Sequence, residues 1–432
     1  MSKINTQIHS YWSRQLSELK KEGWVAVRRK TVTVIVKLLK LPIDSVGFTL
    51  AVPVVLFVRL IRPIKLIRFG YFFAGRIGHF AFDVEYYLTE KKLGFYPENA
   101  IDLFFYRWLM HGKPANDFFS QLTKRHLKIF SIVRYLFWVN SFIPGGEKNQ
   151  ILPAYKRYGS RDIRGIFNQI GPQLSFTRAE ETNGQAFFKL ICKEENAQFI
   201  CLNIRDSSFL RNADYHNYRD SDIDTYEEAA LALAEKGYWV FRMGKVVQKP
   251  FKVSHSRIID YANSEFRSDF LDIWLMANCF FTISTSTGLD NVSSIFRRPI
   301  LLVNHLPVGD CRTGSTKNME VFKKLRWKQT GKYLSLQEQI NCGAIRFLQK
   351  NKYEKLGIEI IDNTSVEIES AVLEFEKQLN KMNNELAIEK ETFQDRFWKI
   401  FVGWQDYSKY HGNYRAIISN SNLNKNHEWF LS

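Results

Sequence analysis

The stretch that decides the fold lies in the second half of the chain, where residues 198–204 read QFICLNI, residues 225–236 read TYEEAALALAEK and residues 238–243 read YWVFRM. The two short apolar runs are typical of buried strands, and the segment between them has the composition of an amphipathic helix. Thr225 and Glu228 form the capping-box pattern of a helix start. A strand, a helix and a strand at this spacing predict a parallel β-α-β unit of a doubly wound sheet.

The same alternation extends outward from this unit in both directions. On its C-terminal side, strands are predicted at 258–261, 279–283 and 299–303, with helices at 269–277 and after Gly288. On its N-terminal side, strands are predicted at 67–73, 101–106 and 130–137, with helices at 78–92 and 116–127. The sequence therefore predicts an α/β protein with two Rossmann-like domains. No G-x-G-x-x-G motif follows the first strand of the second domain, so a dinucleotide cofactor is not indicated.

Composition and charge narrow the class of partner. The 432 residues are 45% hydrophobic and 24% charged, which excludes a disordered or coiled-coil chain. A net charge of +17 favours anionic partners, and residues 1–70 carry +10 of it. A nucleic-acid enzyme is expected to spread its basic residues around a cleft, and the sequence has no motif of a nucleic-acid-binding fold. An anionic membrane surface is therefore favoured over nucleic acid.

An apolar run inside this basic segment supports a membrane surface as the partner. Ser45–Val58 are 14 uncharged residues between Asp44 and Arg59, and Pro53 interrupts them. A spanning helix needs ~20 apolar residues, so we expect the run to lie at the membrane interface rather than to cross it. A buried pair of core helices is the alternative. A secretory signal is not indicated, because the run begins about 45 residues into the chain.

Cysteine usage indicates a reducing compartment. The five cysteines are Cys192, Cys201, Cys279, Cys311 and Cys342, an odd number without a C-x-x-C pattern. We expect free thiols, with neither a zinc site nor a disulfide framework.

Small, hydroxyl-bearing residues follow one predicted strand of the second domain, and they are Ser284, Thr285, Ser286, Thr287 and Gly288. Such a loop lets its backbone approach an anion, and the following helix N-terminus favours negative charge. Arg205 and Asp206 follow the first strand of the same domain, and Arg242 and Gly244 end the next. Two guanidinium groups at neighbouring strand ends can face the loop and match phosphate oxygens. The pattern predicts a diphosphate site, with an ordinary Ser/Thr-rich helix cap as the alternative.

The first domain offers a candidate base at a predicted strand-to-helix turn. The turn is Gly75-Arg76-Ile77-Gly78-His79, and Asp83 lies one helical turn after His79. Because positions i and i+4 share a helix face, the Asp83 carboxylate is expected to orient or charge the His79 imidazole, as general-base catalysis requires. A capping or packing histidine is the alternative, and Asp83 itself is the next candidate base.

In their linear order these residues resemble a family of predicted bacterial glycosyltransferases, whose members are known mostly from polysaccharide and lipopolysaccharide biosynthesis loci. The resemblance is densest from about 199 to 304 and rests on these motifs: Arg205-Asp206-Ser207, Asp214-Tyr215-His216, Tyr218-Arg219, Arg242-Met243-Gly244, Arg267-Ser268-Asp269 and Ser284-Thr285-Ser286-Thr287-Gly288. The family implies a GT-B-like architecture, in which two facing Rossmann domains hold a nucleotide sugar mainly on the C-terminal domain. An Arg after the first strand of that domain and a later Ser/Thr loop are also similar to fucosyltransferase-like enzymes.

The resemblance implies roles for the same residues. Arg205, Arg242 and the 284–288 loop would bind the donor diphosphate, and Asp269 would hold the ribose or the base. Residues implied to form a lid over the sugar are Tyr215, His216 and Arg219, with a solvated loop as the alternative. His79 or Asp83 would deprotonate the acceptor hydroxyl if the enzyme inverts configuration, and retention is the alternative.

A competing signal comes from three acids, since Asp220-Ser221-Asp222 and Asp222-Ile223-Asp224 both fit D-x-D. GT-A glycosyltransferases hold a divalent metal and the nucleotide diphosphate with this pattern, and carboxylate oxygens suit Mg²⁺ or Mn²⁺. The alternative is that the acids stabilise the start of the helix that follows. We favour the second interpretation and expect no metal and no cofactor besides the nucleotide-sugar substrate.

These observations predict four regions: a basic membrane-associating segment at 1–65, a Rossmann-like acceptor domain at 66–190, a Rossmann-like nucleotide-sugar domain at 191–360 and a helical tail at 361–432. The expected protein is a GT-B-like glycosyltransferase on the cytoplasmic face of the bacterial inner membrane. It would transfer a sugar to a lipid-linked or glycan acceptor. A protein glycosyltransferase and a non-catalytic membrane scaffold with Rossmann folds are the alternatives.

Overall fold

The computed structural model describes residues 23–24, 27–28, 31–32, 35, 41–107, 109, 112–194, 197–206, 214–381 and 393–432. Most of the predicted basic segment before residue 41 therefore lies outside the described residues. The chain divides into two compact units. The N-terminal unit consists of Met1–Gly70, Asn99–Phe105 and Phe130–Ile151, and the large unit consists of Tyr71–Glu98, Tyr106–Ile129 and Leu152–Ser432.

The helices are α1 (Leu41–Leu60), α2 (Ile77–Lys92), α3 (Asp117–His126), α4 (Val133–Phe142), α5 (Ala154–Tyr158), α6 (Arg178–Cys192), α7 (Glu227–Glu235), α8 (Asp269–Asn278), α9 (Asp290–Ile295), α10 (Leu336–Asn341), α11 (Lys350–Lys355), α12 (Ser365–Lys381), α13 (Phe393–Val402), α14 (Tyr407–Tyr410) and α15 (Asn420–Phe430). The strands are β1 (Ile67–Phe73), β2 (Ile101–Arg107), β3 (Lys128–Ile129), β4 (Gln150–Ile151), β5 (Phe199–Asn203), β6 (Trp239–Arg242), β7 (Ile258–Ile259), β8 (Thr282–Ser284), β9 (Ile300–His305), β10 (Met319–Phe322), β11 (Lys324–Trp327), β12 (Ile358–Ile361) and β13 (Ile417–Ile418).

The first sheet has the order β3–β2–β1–β4, and β1 pairs in parallel with β4. The first four elements predicted for this half, two strands and two helices, are confirmed as β1, α2, β2 and α3. The strand predicted at 130–137 is wrong, because most of that segment belongs to α4. Two surfaces cover α4: Tyr135 contacts Phe48 of α1, and Phe137 contacts Phe105 of β2. Because α4 packs on two sides, buried residues alternate with partly exposed residues along most of its sequence, as they do in a β-strand.

Helix α1 is longer than the sequence indicates. It continues through Pro53, whose ring is exposed, so the predicted interruption is wrong. An 18-residue window of this helix has a mean hydropathy of 2.0 and is mostly unburied. By length and composition alone, this helix within the described residues is long and apolar enough to cross a membrane.

The second sheet has seven strands in the order β13–β10–β9–β8–β5–β6–β7, and every neighbouring pair is parallel. Chain order runs outward from β5 in both directions, so the direction of winding reverses between β5 and β8. Open α/β sheets bind ligands at such a reversal, at the carboxyl ends of the strands. The predicted α/β class with a doubly wound parallel sheet is confirmed. Two parallel α/β sheets in one chain are the components of a GT-B-like fold.

The elements around the second sheet match the prediction with small shifts. Helix α7 begins at Glu227 rather than at Thr225, because residues 223–226 form a 3-10 turn that the Asp222 side chain caps. One face of the sheet is covered by α7 and α12, and Phe281 packs edge-on against Phe375 with ring centroids 5.2 Å apart. The C-terminal tail is more than helical, since β13 extends the sheet beside β10. All five cysteines are free thiols, and Cys342 alone among them is partly exposed.

Candidate functional site

A cavity of about 1290 Å³ lies in the large unit at the carboxyl ends of β5 and β8. Its walls come from the start of α2, the loop after α5, the ends of β5 and β6, the loop and helix after β8 and the loop after β9. Nine of the lining residues are Arg or Lys and four are Asp. This excess of positive charge favours an anionic ligand.

The predicted 284–288 loop forms one wall of this cavity. Ser284 and Thr285 are buried beneath it, while Ser286, Thr287 and Gly288 line it. Ser286 has a φ of +58°, a left-handed conformation that costs energy in a residue with a side chain. This conformation turns the chain sharply between β8 and α9, so that the tip of the loop faces the cavity.

Arg205 lies beside this loop, as predicted. Its backbone N–H donates to Thr285 Oγ1 at 2.8 Å, and its guanidinium Nε donates to Asp220 Oδ1 at 3.0 Å. Burial lowers the pKa of Arg205, and the positive charge of Arg219 lowers it further. Two positive charges close together in a partly buried site repel each other. An anion bound between them would relieve this repulsion, so the pair favours anion binding.

Arg219 is the second arginine at the loop. Its Nη1 approaches the Ser286 carbonyl oxygen at 3.4 Å, and within the described ranges it forms no ion pair with an acid. Its Nε is buried and has no hydrogen-bond partner among the same residues. This donor is therefore available to a ligand. The prediction placed Arg219 in a lid with Tyr215 and His216, whose side chains lie outside what the structure describes.

Arg312 is a third arginine at the loop, and the sequence analysis missed it. Its Nη2 donates to Asp290 Oδ1 at 2.7 Å, and Asp290 Oδ2 accepts from Ser284 Oγ at 2.8 Å. Its Nη1 is buried without a partner in the part of the chain that the structure describes. Thr313–Thr316, which follow it, also line the cavity and repeat the small, hydroxyl-bearing composition of the 284–288 loop. The small, hydroxyl-bearing residues at 313–316 were the sequence signal that could have identified this part of the cavity wall.

Arg242 does not face the loop, contrary to the prediction. It is 1% exposed and is absent from the cavity wall. Its guanidinium instead pairs with Asp260 at 3.2 Å and donates to the Lys249 carbonyl oxygen at 3.2 Å. Arg242 is the last residue of β6 and is still paired with Leu202 of β5, whereas Arg205 follows the end of β5.

The other predicted donor-binding residues are divided between the cavity and its surroundings. Asp206 and Gly244 line the cavity, and Gly244 has a φ of +151°, which favours glycine. Asp269 does not line it, because its carboxylate accepts from the Asp117 backbone N–H at 2.8 Å and pairs with Lys245 at 3.1 Å. Asp272, one turn further along α8, lines the cavity instead.

His79, near the start of α2, lines the same cavity. Its Nδ1 is 2.8 Å from Ser160 Oγ, and the ring packs against Phe73 and Tyr155. Burial lowers the pKa of His79 to about 4, and the charge of Arg76 lowers it further. The imidazole is therefore neutral at pH 7. A proton on Nδ1 directed at Ser160 leaves the lone pair on Nε2, where a general base needs it.

Asp83 is one step behind His79 and does not touch it directly. Its Oδ1 accepts from Ser160 Oγ at 3.4 Å and from the Tyr155 backbone N–H at 2.9 Å. Burial raises the pKa of Asp83 to about 8, although these hydrogen bonds oppose the rise. The expected direct contact between carboxylate and imidazole is wrong, because Ser160 stands between them. Asp83 is also absent from the cavity wall, so it is buried too deeply to reach a substrate.

The start of α2 adds backbone donors to this wall. The 16-residue helix has no side-chain cap and no acid in its first turn, so its first N–H groups carry uncompensated positive charge. A Cβ added at Gly78 would lie 2.9 Å from the Gly288 Cα. Only glycine allows this approach, which brings the start of α2 to the tip of the 284–288 loop.

The three acids of the D-x-D pattern are engaged with basic side chains. Asp220 pairs with Arg205, and Asp222 and Asp224 pair with Lys249 at 2.6 Å and 2.5 Å. Across the described ranges, no group of three or more His, Cys, Asp or Glu side chains is arranged to hold a metal ion.

No protein-family model matches the chain, and no curated protein matches its sequence. Solved structures match at low similarity. The E. coli ADP-heptose lipopolysaccharide heptosyltransferase II is 12% identical over 59% of this chain and 90% of its own, with a TM-score of 0.33. A family 9 glycosyl transferase from Veillonella parvula is 11% identical over 55% and 80%, with a TM-score of 0.35. The E. coli heptosyltransferase WaaC with ADP is 10% identical over 60% and 91%, with a TM-score of 0.30. Likenesses this weak carry no conclusion about substrate or activity.

Proposed function

We propose that the chain is a glycosyltransferase that moves a sugar from a nucleotide-sugar donor to a membrane-associated precursor of a bacterial surface glycan. The observation that carries the proposal is the arrangement of Arg205, Arg219 and Arg312 around one loop. Each is tied to the 284–288 loop by a hydrogen bond or through Asp290, and two of them keep buried N–H groups without partners among the described residues.

This arrangement suits a leaving group that gains charge. When the glycosidic bond breaks, negative charge develops on the diphosphate, and donors already fixed around it stabilise the transition state without reorganising. Guanidinium groups match phosphate oxygens in pairs, and the uncapped start of α2 adds backbone N–H groups. A volume of about 1290 Å³ exceeds the usual range for a small-ligand site, so donor and acceptor groups fit together in it.

His79 is the proposed general base. It is neutral at physiological pH and lines the same cavity as Arg205, where an acceptor hydroxyl would approach the donor sugar. His79 Nε2 would take the proton of the acceptor hydroxyl as that oxygen bonds to the anomeric carbon. The bond from this carbon to the nucleoside diphosphate breaks on the opposite face, so the configuration inverts. Ser160 and Asp83 would hold the ring in place through the hydrogen bonds described above.

The proposed reaction requires no divalent metal, since the arginines neutralise the negative charge of the diphosphate that a metal ion would otherwise neutralise. Addition of EDTA to an active preparation is expected to leave the rate unchanged. Loss of activity with EDTA, restored by Mg²⁺ or Mn²⁺, would instead assign the D-x-D acids to a metal site.

A screen of nucleotide sugars tests the proposal directly. UDP-, GDP-, CMP-, dTDP- and ADP-sugars are added to the purified full chain and unfolding is followed by thermal shift. A ligand at about 100 times its Kd stabilises the folded state by ~2.7 kcal/mol. We expect one nucleotide class to raise the melting temperature and the Arg219→Gln variant to lose that rise, whereas Arg125→Gln, far from the cavity, keeps it. No shift with any nucleotide would favour the scaffold alternative.

A further inference from the structure

The exposed side of α1 is a surface that the cavity does not use. Ala51 and Val55 belong to the narrow stripe that α1 buries, whereas Leu50, Phe57 and Leu60 are 65%, 59% and 78% exposed. Soluble monomers rarely expose contiguous apolar patches of more than a few hundred Å². An apolar partner must therefore cover this side of the helix.

Helix α1 is fastened at both ends to α4, which lies in the same unit. At its C-terminal end, Arg59 donates to Asn140 Oδ1 at 2.9 Å and to the Pro144 carbonyl oxygen at 2.7 Å. At its N-terminal end, Asp44 pairs with Arg134 and accepts from the Tyr135 hydroxyl. These contacts hold α1 along the length of α4.

Helix α4 is in turn fastened at both ends to strands of the first sheet. Before it, the Phe130 N–H donates to the Phe104 carbonyl oxygen at 2.8 Å. After it, residues 150–151 pair with β1 at Phe69 and Gly70. The ten residues of α4 span about 15 Å, half of a hydrocarbon core of about 30 Å. An open sheet edge does not enter hydrocarbon, so the first sheet must stay outside the bilayer core. Because α4 ties α1 to that sheet, both ends of α1 must lie on the same side of the membrane as the sheet.

We propose that α1 lies in the plane of an anionic bilayer, with its exposed apolar side in the acyl layer, and does not cross the membrane. Its length alone would allow a crossing, but a crossing would carry α4 and the Asp44–Arg134 pair into hydrocarbon. Two further apolar side chains, Ile132 and Phe142 at the two ends of α4, are also exposed. Arg62 and Lys65 follow α1, and the basic residues upstream match anionic headgroups. The inference refines the membrane association included in the proposed function.

Vesicle binding tests the surface. Full-length protein is sedimented with vesicles of phosphatidylglycerol and phosphatidylethanolamine, and with phosphatidylcholine alone. We expect binding to the anionic vesicles and a loss of about tenfold or more in the Leu50→Glu/Phe57→Glu variant. The control Leu190→Glu changes a residue that is 60% exposed on α6, and it should bind normally. Failure of the wild type to bind, or equal binding by the double variant, overturns the proposal. So does a lipid-free oligomer that the double variant dissociates, because a second copy would then cover the surface.

Labelling tests the orientation. Single cysteines replace two polar residues that the proposal leaves in water, Ser45 near the start of α1 and Lys65 just after its end (Ser45→Cys and Lys65→Cys). In a Cys342→Ser background, they are treated with a membrane-impermeant maleimide in inverted and in right-side-out membrane vesicles. Both should react in inverted vesicles and neither in right-side-out vesicles. Reaction of the two positions from opposite sides would show that α1 spans and would overturn the proposal. Nucleotide thermal shift on the same variants reports the proposed activity separately, so the two hypotheses fail independently.

Discussion

The carboxyl ends of β5 and β6 are parallel neighbours, yet the arginines near them serve different purposes. Arg205 comes three residues after Leu202 and lies beyond the last strand pair, where it lines the cavity. Arg242 is paired with Leu202 itself, so it lies within the sheet and is held by Asp260. The difference shows that the pairing register decides which of two arginines near neighbouring strand ends reaches the cavity.

The largest expected effect is the loss of stability when Arg242, rather than Arg205, is substituted. Arg242→Met removes a buried cation and leaves Asp260 without its charged partner, which should cost about 3 kcal/mol of the free energy of unfolding. Denaturant unfolding measures this loss. The nucleotide Kd of the folded variant should be unchanged. A variant of normal stability that no longer binds nucleotide would place Arg242 in the ligand site after all.

The next effect is on binding. Arg219→Gln should weaken nucleoside diphosphate binding by roughly 10- to 100-fold, because a charge-assisted hydrogen bond is worth about 1.5–3 kcal/mol. Stability should change little, since Arg219 has no ion pair in the described part of the chain. Isothermal titration of wild type, Arg219→Gln and the distant control Arg125→Gln measures the difference. Equal Kd values in all three proteins would remove Arg219 from the site.

A smaller effect is expected where the two cavity walls meet. Gly78→Ala places a Cβ 2.9 Å from the Gly288 Cα and should destabilise the protein by about 1–3 kcal/mol. Gly171→Ala is the matched control, because Gly171 also lines the cavity and a Cβ there meets nothing within 4 Å. Thermal unfolding compares the two. Equal stability of both variants would contradict the close approach of α2 and the 284–288 loop.

The smallest expected effect is on pH dependence. His79 has a pKa near 6.5 in the unfolded chain and about 4 in the fold, so the unfolded state takes up a proton first as the pH falls. The wild type should therefore lose more stability between pH 7 and pH 5 than His79→Gln does. The proposed base also stays unprotonated over this range, so the rate should show no acidic limb near pH 6.5. A limb at that pH would show that His79 titrates as an exposed imidazole.

Much of the fold was predictable because its signals are local. The apolar run before Arg205 and the small residues at 284–288 each lie within a few positions, so the strand, the turn and its position at the sheet edge follow from the pattern. The segment around Phe137 misled because its burial comes from α1 and β2 together, and α1 is distant in sequence. Buried residues then occur at every second position although the segment is a helix.

The site was predictable only in part because its pairings join distant segments. Ser160 reaches His79 from 81 residues away, and Arg312 reaches Ser284 only through Asp290. The sequence identified Arg205 and the loop. It could not show that Arg242 stays away from the cavity, because that depends on the register between β5 and β6, which the sequence of one strand does not reveal. The sequence also named Arg219, but as part of a lid, because its contact with the Ser286 carbonyl oxygen joins segments that only folding brings together.

The central claim is that the 284–288 loop and its arginines bind a diphosphate, and a comparison of two nucleotides tests it most directly. A nucleoside monophosphate and the diphosphate of the same base are titrated into wild type and into the Arg205→Gln/Arg219→Gln variant. The account predicts that the diphosphate binds wild type at least about tenfold more tightly and that the variant loses this preference. Equal affinity of wild type for the two nucleotides, or an undiminished preference in the variant, would contradict it.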